Sequence, residues 1–220
     1  MSHLTLPDAR ERPTTILLAR HGQSILNAEK RISGQFDTCL SPKGVHQAHL
    51  LAEVLCGEHL SAIYTSTLTR AVETARPTAV AHGLSIQQCD DLKEIRHGVL
   101  EGRFRDVRDP EARQLWEARK KDKLNYRAPG GESFIDLARR VLPCLNTILA
   151  REAGNVFLLV GHRNTNRAIL GALLHWPHDV ALSVKMRGGE LYEIFTGEIP
   201  RFRIRAVGEA QKADRMGDCL

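Results

Sequence analysis

Arg20-His21-Gly22 stands at the end of a short apolar run, a placement that packing explains poorly for a histidine. A neutral imidazole nitrogen is a nucleophile able to take a phosphoryl group. A lone histidine there is more simply a satisfied turn residue, but two neighbours argue otherwise. Asn27 follows about one helical turn on, where its amide can face the same point. Gly22 has no Cβ, which lets the backbone approach a bulky ligand. His162 repeats the pattern after the run Leu158-Leu159-Val160-Gly161. Arg70 falls near the start of a predicted helix, where a guanidinium can hold a phosphate bidentately beside the helix N-terminus; alone, it reads as a surface arginine. The segment 92–102 offers two carboxylates, Glu94 and Glu101. A phosphate ester needs such an acid to protonate its leaving oxygen, although a solvated charged loop has the same composition. His97 in that loop is read as structural. His21, His162, Arg20 and Arg70 together would make a cationic pocket suited to the equatorial oxygens of a transferring phosphoryl group.

The elements that must hold these residues alternate in type. Apolar or β-branched runs at 14–19, 62–65, 84–89 and 156–160 read as strands, the first and last as buried ones. Helices are expected from 23–30, from Pro42 (with Ser41 as N-cap) to about residue 56, and over 68–81, 110–123, 133–151 and 164–175. The 110–123 helix is heavily charged, so one face is expected to be wet. Runs at 182–186, 191–195 and 202–207 are expected as closing strands, and 208–220 as a loose tail. The alternation predicts one domain over 1–220, a three-layer α/β/α sandwich with a mostly parallel, doubly wound sheet. Ligands in such sheets sit at the carboxyl ends of the strands. His21, the segment 66–70 and His162 fall at those ends.

Composition limits the alternatives. With 42% hydrophobic and 26% charged residues the chain is globular, and no apolar run reaches the length of a membrane span. The polar N-terminus lacks a secretory h-region, so a cytoplasmic location is expected. The formal charge of +5 attracts anions, but aromatics are only 5%, too few for a nucleic-acid stacking platform. A small phosphorylated metabolite accounts for the balance; a homodimer is left open. The cysteines (Cys39, Cys56, Cys89, Cys144, Cys219) are scattered and read as buried or idle thiols of a reducing compartment. His46 with His49, and His175 with His178, have metal-compatible spacings but no third ligand nearby, so no metal site is assigned. Trp116 and Trp176 are read as packing residues.

The order of motifs resembles the histidine phosphatase superfamily, which also contains the cofactor-dependent phosphoglycerate mutases. The match runs from Arg20-His21-Gly22 with Asn27, through Gly34-Gln35 and Leu40-Ser41-Pro42-Lys43-Gly44, to Ser66, Arg70-Ala71 and Glu73-Thr74. It continues with Glu94, Gly98 and Glu101-Gly102, then Pro129-Gly130-Gly131-Glu132-Ser133, and ends at Gly161-His162. The resemblance implies that His21 takes the phosphoryl group. Arg20, Arg70 and His162 would clamp its oxygens, Asn27 would add a polar contact, and Glu94 would donate the proton to the leaving group. It also makes Gln35 a candidate substrate contact; Arg163, which the family pattern does not supply, is a second candidate on its position beside His162. The cationic clamp would supply the neutralisation that other phosphotransferases take from Mg²⁺, so neither metal nor other cofactor is expected.

Two departures matter. Arg163 stands where the family usually has glycine. It would narrow the site or read a second acidic group on the substrate, or else turn to solvent. The segment 103–127 is shorter than the mutase insertion, which favours a phosphatase of small phosphate monoesters over a bisphosphate-primed phosphoglycerate mutase; a non-catalytic phospho-ligand binder is the third reading. Arg103, Arg105 and Arg108 could rim the pocket or simply be solvated.

Overall fold

The structure, a computed structural model, describes residues 13–207 and the backbone of 215–217. Its centre is a seven-stranded sheet in the order β3-β2-β4-β1-β5-β6-β7. Strands β1 (Thr15–Arg20), β2 (Ala62–Thr65), β3 (Ile86–Gln88) and β4 (Val156–Gly161) are mutually parallel. Strands β5 (Glu190–Phe195), β6 (Arg201–Ala206) and β7 (Arg215–Gly217) complete one edge antiparallel to their neighbours. Residues 215–217 of the expected loose tail therefore pair with β6; the rest of 208–220 lies outside the described residues.

β1 and β4 are buried along both faces, which is why each reads as an unbroken apolar run rather than an alternation. Leu17 and Ala19 face helices α2 (Pro42–Leu55) and α3 (Thr69–His82), where they meet Leu51, Leu55, Ala71 and Ala75. Ile16 and Leu18 face the opposite layer, α5 (Phe134–Arg151) and α6 (Arg163–Leu173). The three layers are those expected. α5 buries Leu137, Val141, Leu145, Ile148 and Leu149, a helical stripe, and its Pro143 lies on the exposed side. α1 (Ile25–Ala28) is a single turn closed by a reciprocal Ser24–Asn27 cap. α4 (Pro110–Lys121) covers the carboxyl edge of the sheet on a small core of Ile32, Leu100, Ala112 and Ala128.

The run 182–186 is not a strand. Pro177 opens α7 (His178–Ser183), and residues 184–186 are irregular. Ala181 sits against Gly171 of α6, with no room for a larger residue there, and Met186 reaches the main core. The alternation Leu182-Ser183-Val184-Lys185-Met186 has the period of a strand, but these anchors at either end of it set a helical turn and an irregular exit instead. The scattered cysteines include one spatial pair: Cys89, after β3, meets Cys144 of α5 across 55 residues, whereas Cys39 and Cys56 are exposed. No helix of the described residues is long and apolar enough to cross a membrane.

Candidate active site

Register decides which residues meet. β1 and β4 are adjacent and paired Arg20 to Gly161, so the residues that follow them, His21 and His162, leave the sheet side by side. Their ring centroids lie 5.0 Å apart. The His21 backbone N–H donates to Gly161 O at 3.0 Å, which extends the ladder to the site itself. β2 lies on the other side of β4 and delivers Ser66 and then Arg70 in the first turn of α3.

The His21 ring is almost fully buried, and its Nδ1 lies 2.7 Å from Gly22 O. A carbonyl only accepts, so Nδ1 carries the proton and Nε2 keeps its lone pair. His162 has no exposed surface; its Nε2 is 2.7 Å from Ser66 Oγ, and its Nδ1 is buried without a partner. Arg70 donates from Nη1 to Phe36 O at 3.0 Å and from Nη2 to Gly34 O at 2.6 Å, while its Nε is unpartnered. Arg20 donates from Nη1 to Met186 O, and its Nε is likewise buried and unpartnered. Buried polar groups are nearly always paired, so three such nitrogens around one imidazole call for an explanation. An oxyanion would satisfy all three. Burial lowers both guanidinium pKa values to about 10; Arg163 is the next cause at Arg20, while Glu94 opposes the shift in both.

Glu94 lines the same cavity as His21, Arg20 and Arg70. Its carboxylate accepts from the backbone N–H of Ile95 at 2.8 Å and of Asn164 at 3.2 Å, in the first turn of α6. The loop that carries it is held from behind. Arg140 bridges the carbonyls of Asp91, Lys93 and Glu94 to the Glu132 carboxylate. Gly98 has φ +56, and a Cβ on it would meet Pro129 O at 2.1 Å. The Pro129-Gly130-Gly131-Glu132 motif thus anchors the acid loop and does not touch the cavity. Gln35 takes a similar part: its Nε2 donates to Glu94 O at 3.0 Å and its N–H to Glu101 Oε1 at 2.8 Å, so it braces the loop instead of lining the cavity. Asn27 lines the cavity and donates to Ser33 Oγ at 3.1 Å.

Gly22 serves packing rather than ligand approach. A Cβ there would lie 2.6 Å from Gly44 O in α2. The Gly22 N–H donates to Thr74 Oγ1, whose hydroxyl donates to Arg70 O. Gly22→Ala is therefore expected to destabilise the fold by about 1–3 kcal/mol and to displace the His21 ring. Thermal unfolding checks this, and an unchanged Tm would contradict it.

The cavity lined by Arg20, His21, Asn27, Arg70 and Glu94 has a volume of about 360 Å³. His97, read from sequence as structural, is part of its wall, as are Trp116, Arg119 and Lys120 of α4, with Lys123 just beyond it. Arg105 and Arg163 line it too; Arg103 and Arg108 are held elsewhere, by Asp109 with Glu111 and by Asp106. A larger groove of about 710 Å³ between α2 and α3 is mainly apolar and contains none of the groups described above.

Three imidazoles of the site are neutral. Burial, then Arg70, hold His21 and His162 well below the ordinary histidine value, and burial with Arg119 pushes His97 down to about 3. In the unfolded chain each titrates near about 6.5. Below that pH the unfolded state binds protons that the native state refuses, so stability is complete above about pH 6.5 and falls as pH drops. The loss approaches about 1.4 kcal/mol per pH unit for each histidine. Urea midpoints are expected to drop clearly between about pH 7.5 and pH 5, and a flat profile would contradict this.

The profile of the histidine phosphatase superfamily (branch 1) matches residues 16–207. This chain belongs to that superfamily. A probable phosphoglycerate mutase GpmB of Yersinia pestis is 34% identical over 185 residues, 84% of this chain and 86% of the relative. A mycobacterial glucosyl-3-phosphoglycerate phosphatase, solved with VO3, is 28% identical with a TM-score of 0.75, over 89% of this chain and 98% of that one. A putative alpha-ribazole-5'-P phosphatase from Escherichia coli has a TM-score of 0.77 over 94% of this chain and 95% of that one. At 22% identity it supports the fold alone.

Proposed function

We propose that this protein is a metal-independent phosphatase that hydrolyses small phosphate monoesters through a phospho-histidine on His21. The observation that carries the reading is the set of three buried, unpartnered nitrogens, Arg20 Nε, Arg70 Nε and His162 Nδ1 (an N–H when Ser66 Oγ donates to Nε2), around a histidine whose Nε2 lone pair is unengaged. The phosphoryl oxygens would accept from those three donors, with Asn27 as a further polar contact. Nε2 would attack phosphorus as the ester P–O bond breaks, and Glu94 in its acid form would give its proton to the departing oxygen. Glu94 would then take a proton from water as the water oxygen attacks phosphorus and the P–N bond breaks. That step restores neutral His21 and releases phosphate. The charge on the equatorial oxygens is met by two guanidiniums and an imidazole N–H, so the step asks nothing of a metal ion. A cavity of about 360 Å³ suits a small metabolite, and a cytoplasmic location belongs to the same reading.

The similarity to a protein named probable phosphoglycerate mutase keeps a second reading open. A mutase returns the phosphoryl group to the substrate and needs priming by a bisphosphate; a phosphatase releases inorganic phosphate. Assaying a panel of esters for both products separates them. Unprimed release of inorganic phosphate supports the phosphatase. Positional isomerisation only after priming, without release, overturns it.

A further inference from the structure

The cavity holds far more positive charge than one phosphoryl group requires. Arg20 and Arg70 answer the phosphoryl dianion, and Glu94 is the sole carboxylate among the residues lining the cavity. Yet Arg105, Arg119 and Arg163 line the same space, and no carboxylate pairs with any of them among the described residues. Arg119 is the informative member. It is only 8% exposed, and among the described residues none hydrogen-bonds its guanidinium; what it has is the face of Trp116, 5.2 Å away. Arg105 lies 5.6 Å from the same ring, and the His97 ring meets it edge-on at 5.3 Å. Trp116 thus serves as a scaffold holding two guanidiniums toward the cavity. Their neighbours in sequence show what the chain does otherwise: Arg103 and Arg108, outside the cavity, each hold a carboxylate at 2.7 Å or less.

Direction matters as well as number. Glu94 is the group that meets the leaving oxygen in the reading above, so the leaving group extends past it. Arg119 lines the same cavity as Glu94; burial lowers its pKa, Glu94 opposes the shift, and Arg163 adds to it. Arg163, exposed at the start of α6, presses in turn on Arg20 and Arg167. Gathering these cations costs repulsion and desolvation, and Glu94 is the one carboxylate among the described residues lining the cavity to offset it.

We propose that the substrate's leaving group carries a second acidic group, a carboxylate or a phosphate, received by Arg119 on its Trp116 platform, with Arg163 and Arg105 at the mouth. The proposal rests on the phosphatase reading of the His21 site. It turns Arg163 from an odd residue at the second histidine into part of a specificity device.

The test compares kcat/KM for matched esters with wild type, Arg119→Met, Arg119→Lys and Arg163→Gly. For a carboxylate the pair is 3-phosphoglycerate against glycerol 3-phosphate; for a phosphate it is propanediol bisphosphate against the monophosphate. p-Nitrophenyl phosphate serves as a common reference. Wild type is expected to prefer the diacid in at least one pair by about tenfold or more, a preference that weakens with added salt. Arg119→Met should lower that ratio by about tenfold, mainly through KM, Arg119→Lys should retain more of it, and Arg163→Gly should lower it partially. The pair that responds tells carboxylate from phosphate. No wild-type preference in either pair, or ratios unchanged in both Arg163→Gly and folded Arg119→Met, would overturn the proposal while leaving the phosphatase intact. If Arg119→Met does not fold, Arg163→Gly decides alone. Failure of wild type to hydrolyse every ester, p-nitrophenyl phosphate included, would overturn both readings.

Discussion

His21→Ala is expected to reduce phosphate release by at least about 10³-fold on every ester the wild type hydrolyses. The proposed route has no second nucleophile to fall back on. His162 is adjacent, but its Nε2 is engaged by Ser66 Oγ, and its Nδ1 is more useful as a donor to the phosphoryl group. Binding should suffer far less than turnover, because Arg20 and Arg70 keep the orphaned donors that would hold the phosphoryl oxygens. The variant should therefore still bind inorganic phosphate or vanadate while failing to turn over. It should also fold, since among the described residues the ring's hydrogen bond runs to its own neighbour Gly22, and the backbone N–H of residue 21 keeps its bond to Gly161 O. Steady-state phosphate release, with phosphate binding by calorimetry, checks both halves. Full activity in His21→Ala would remove the mechanism.

Glu94→Gln should have the second largest effect, and its size should depend on the leaving group. For an alkyl ester, whose alkoxide leaves poorly without a proton, the loss should be about 10²–10⁴-fold. For p-nitrophenyl phosphate, whose leaving group departs as a stable anion, phosphorylation of His21 should be nearly unaffected. Dephosphorylation by water would then limit the rate, because Glu94 is also the group proposed to take the proton from water. Rapid-quench measurements should show a burst of p-nitrophenol, about one per site, followed by a slow phase. The isosteric amide keeps an acceptor for the backbone N–H of Ile95, so a folding defect is not the expected outcome. An equal loss on both esters without a burst would show that Glu94 acts only by holding the loop.

The histidine pair was legible from sequence for a simple reason. β1 and β4 are buried on both faces, so each is an unbroken apolar run with a sharp end, and the reactive residue follows that end. Neighbouring positions of His21 and His162 then follow from a parallel register that the α/β pattern implies. The reason for Gly22 was not legible, because its contact is with Gly44 in a separate helix, and proximity of that kind is tertiary information. Gln35 was a candidate substrate contact only through the motif Gly34-Gln35; its engagement with Glu94 O depends on how the loops fold back. Arg119 was hidden for a different reason. The helix around it is rich in charge and reads as a wet face, and only the docking of α4 over the sheet edge buries that one guanidinium against Trp116. The strand expected at 182–186 failed because its apolar-polar alternation, Leu182-Ser183-Val184-Lys185-Met186, mimics a strand, whereas Pro177 and the docking of Ala181 on Gly171 set a helical turn there, which is tertiary information.

The most direct test of the central claim is to mix the enzyme with a phosphate-labelled ester, quench in alkali within a single turnover, and map the adduct. The expected result is an acid-labile, base-stable phosphoryl group on His21, attached at Nε2 because Nδ1 is held by Gly22 O. The adduct should be absent from His21→Ala and should accumulate in Glu94→Gln. Phosphate release at the wild-type rate with no adduct on His21, or with the label on another residue, would contradict the account.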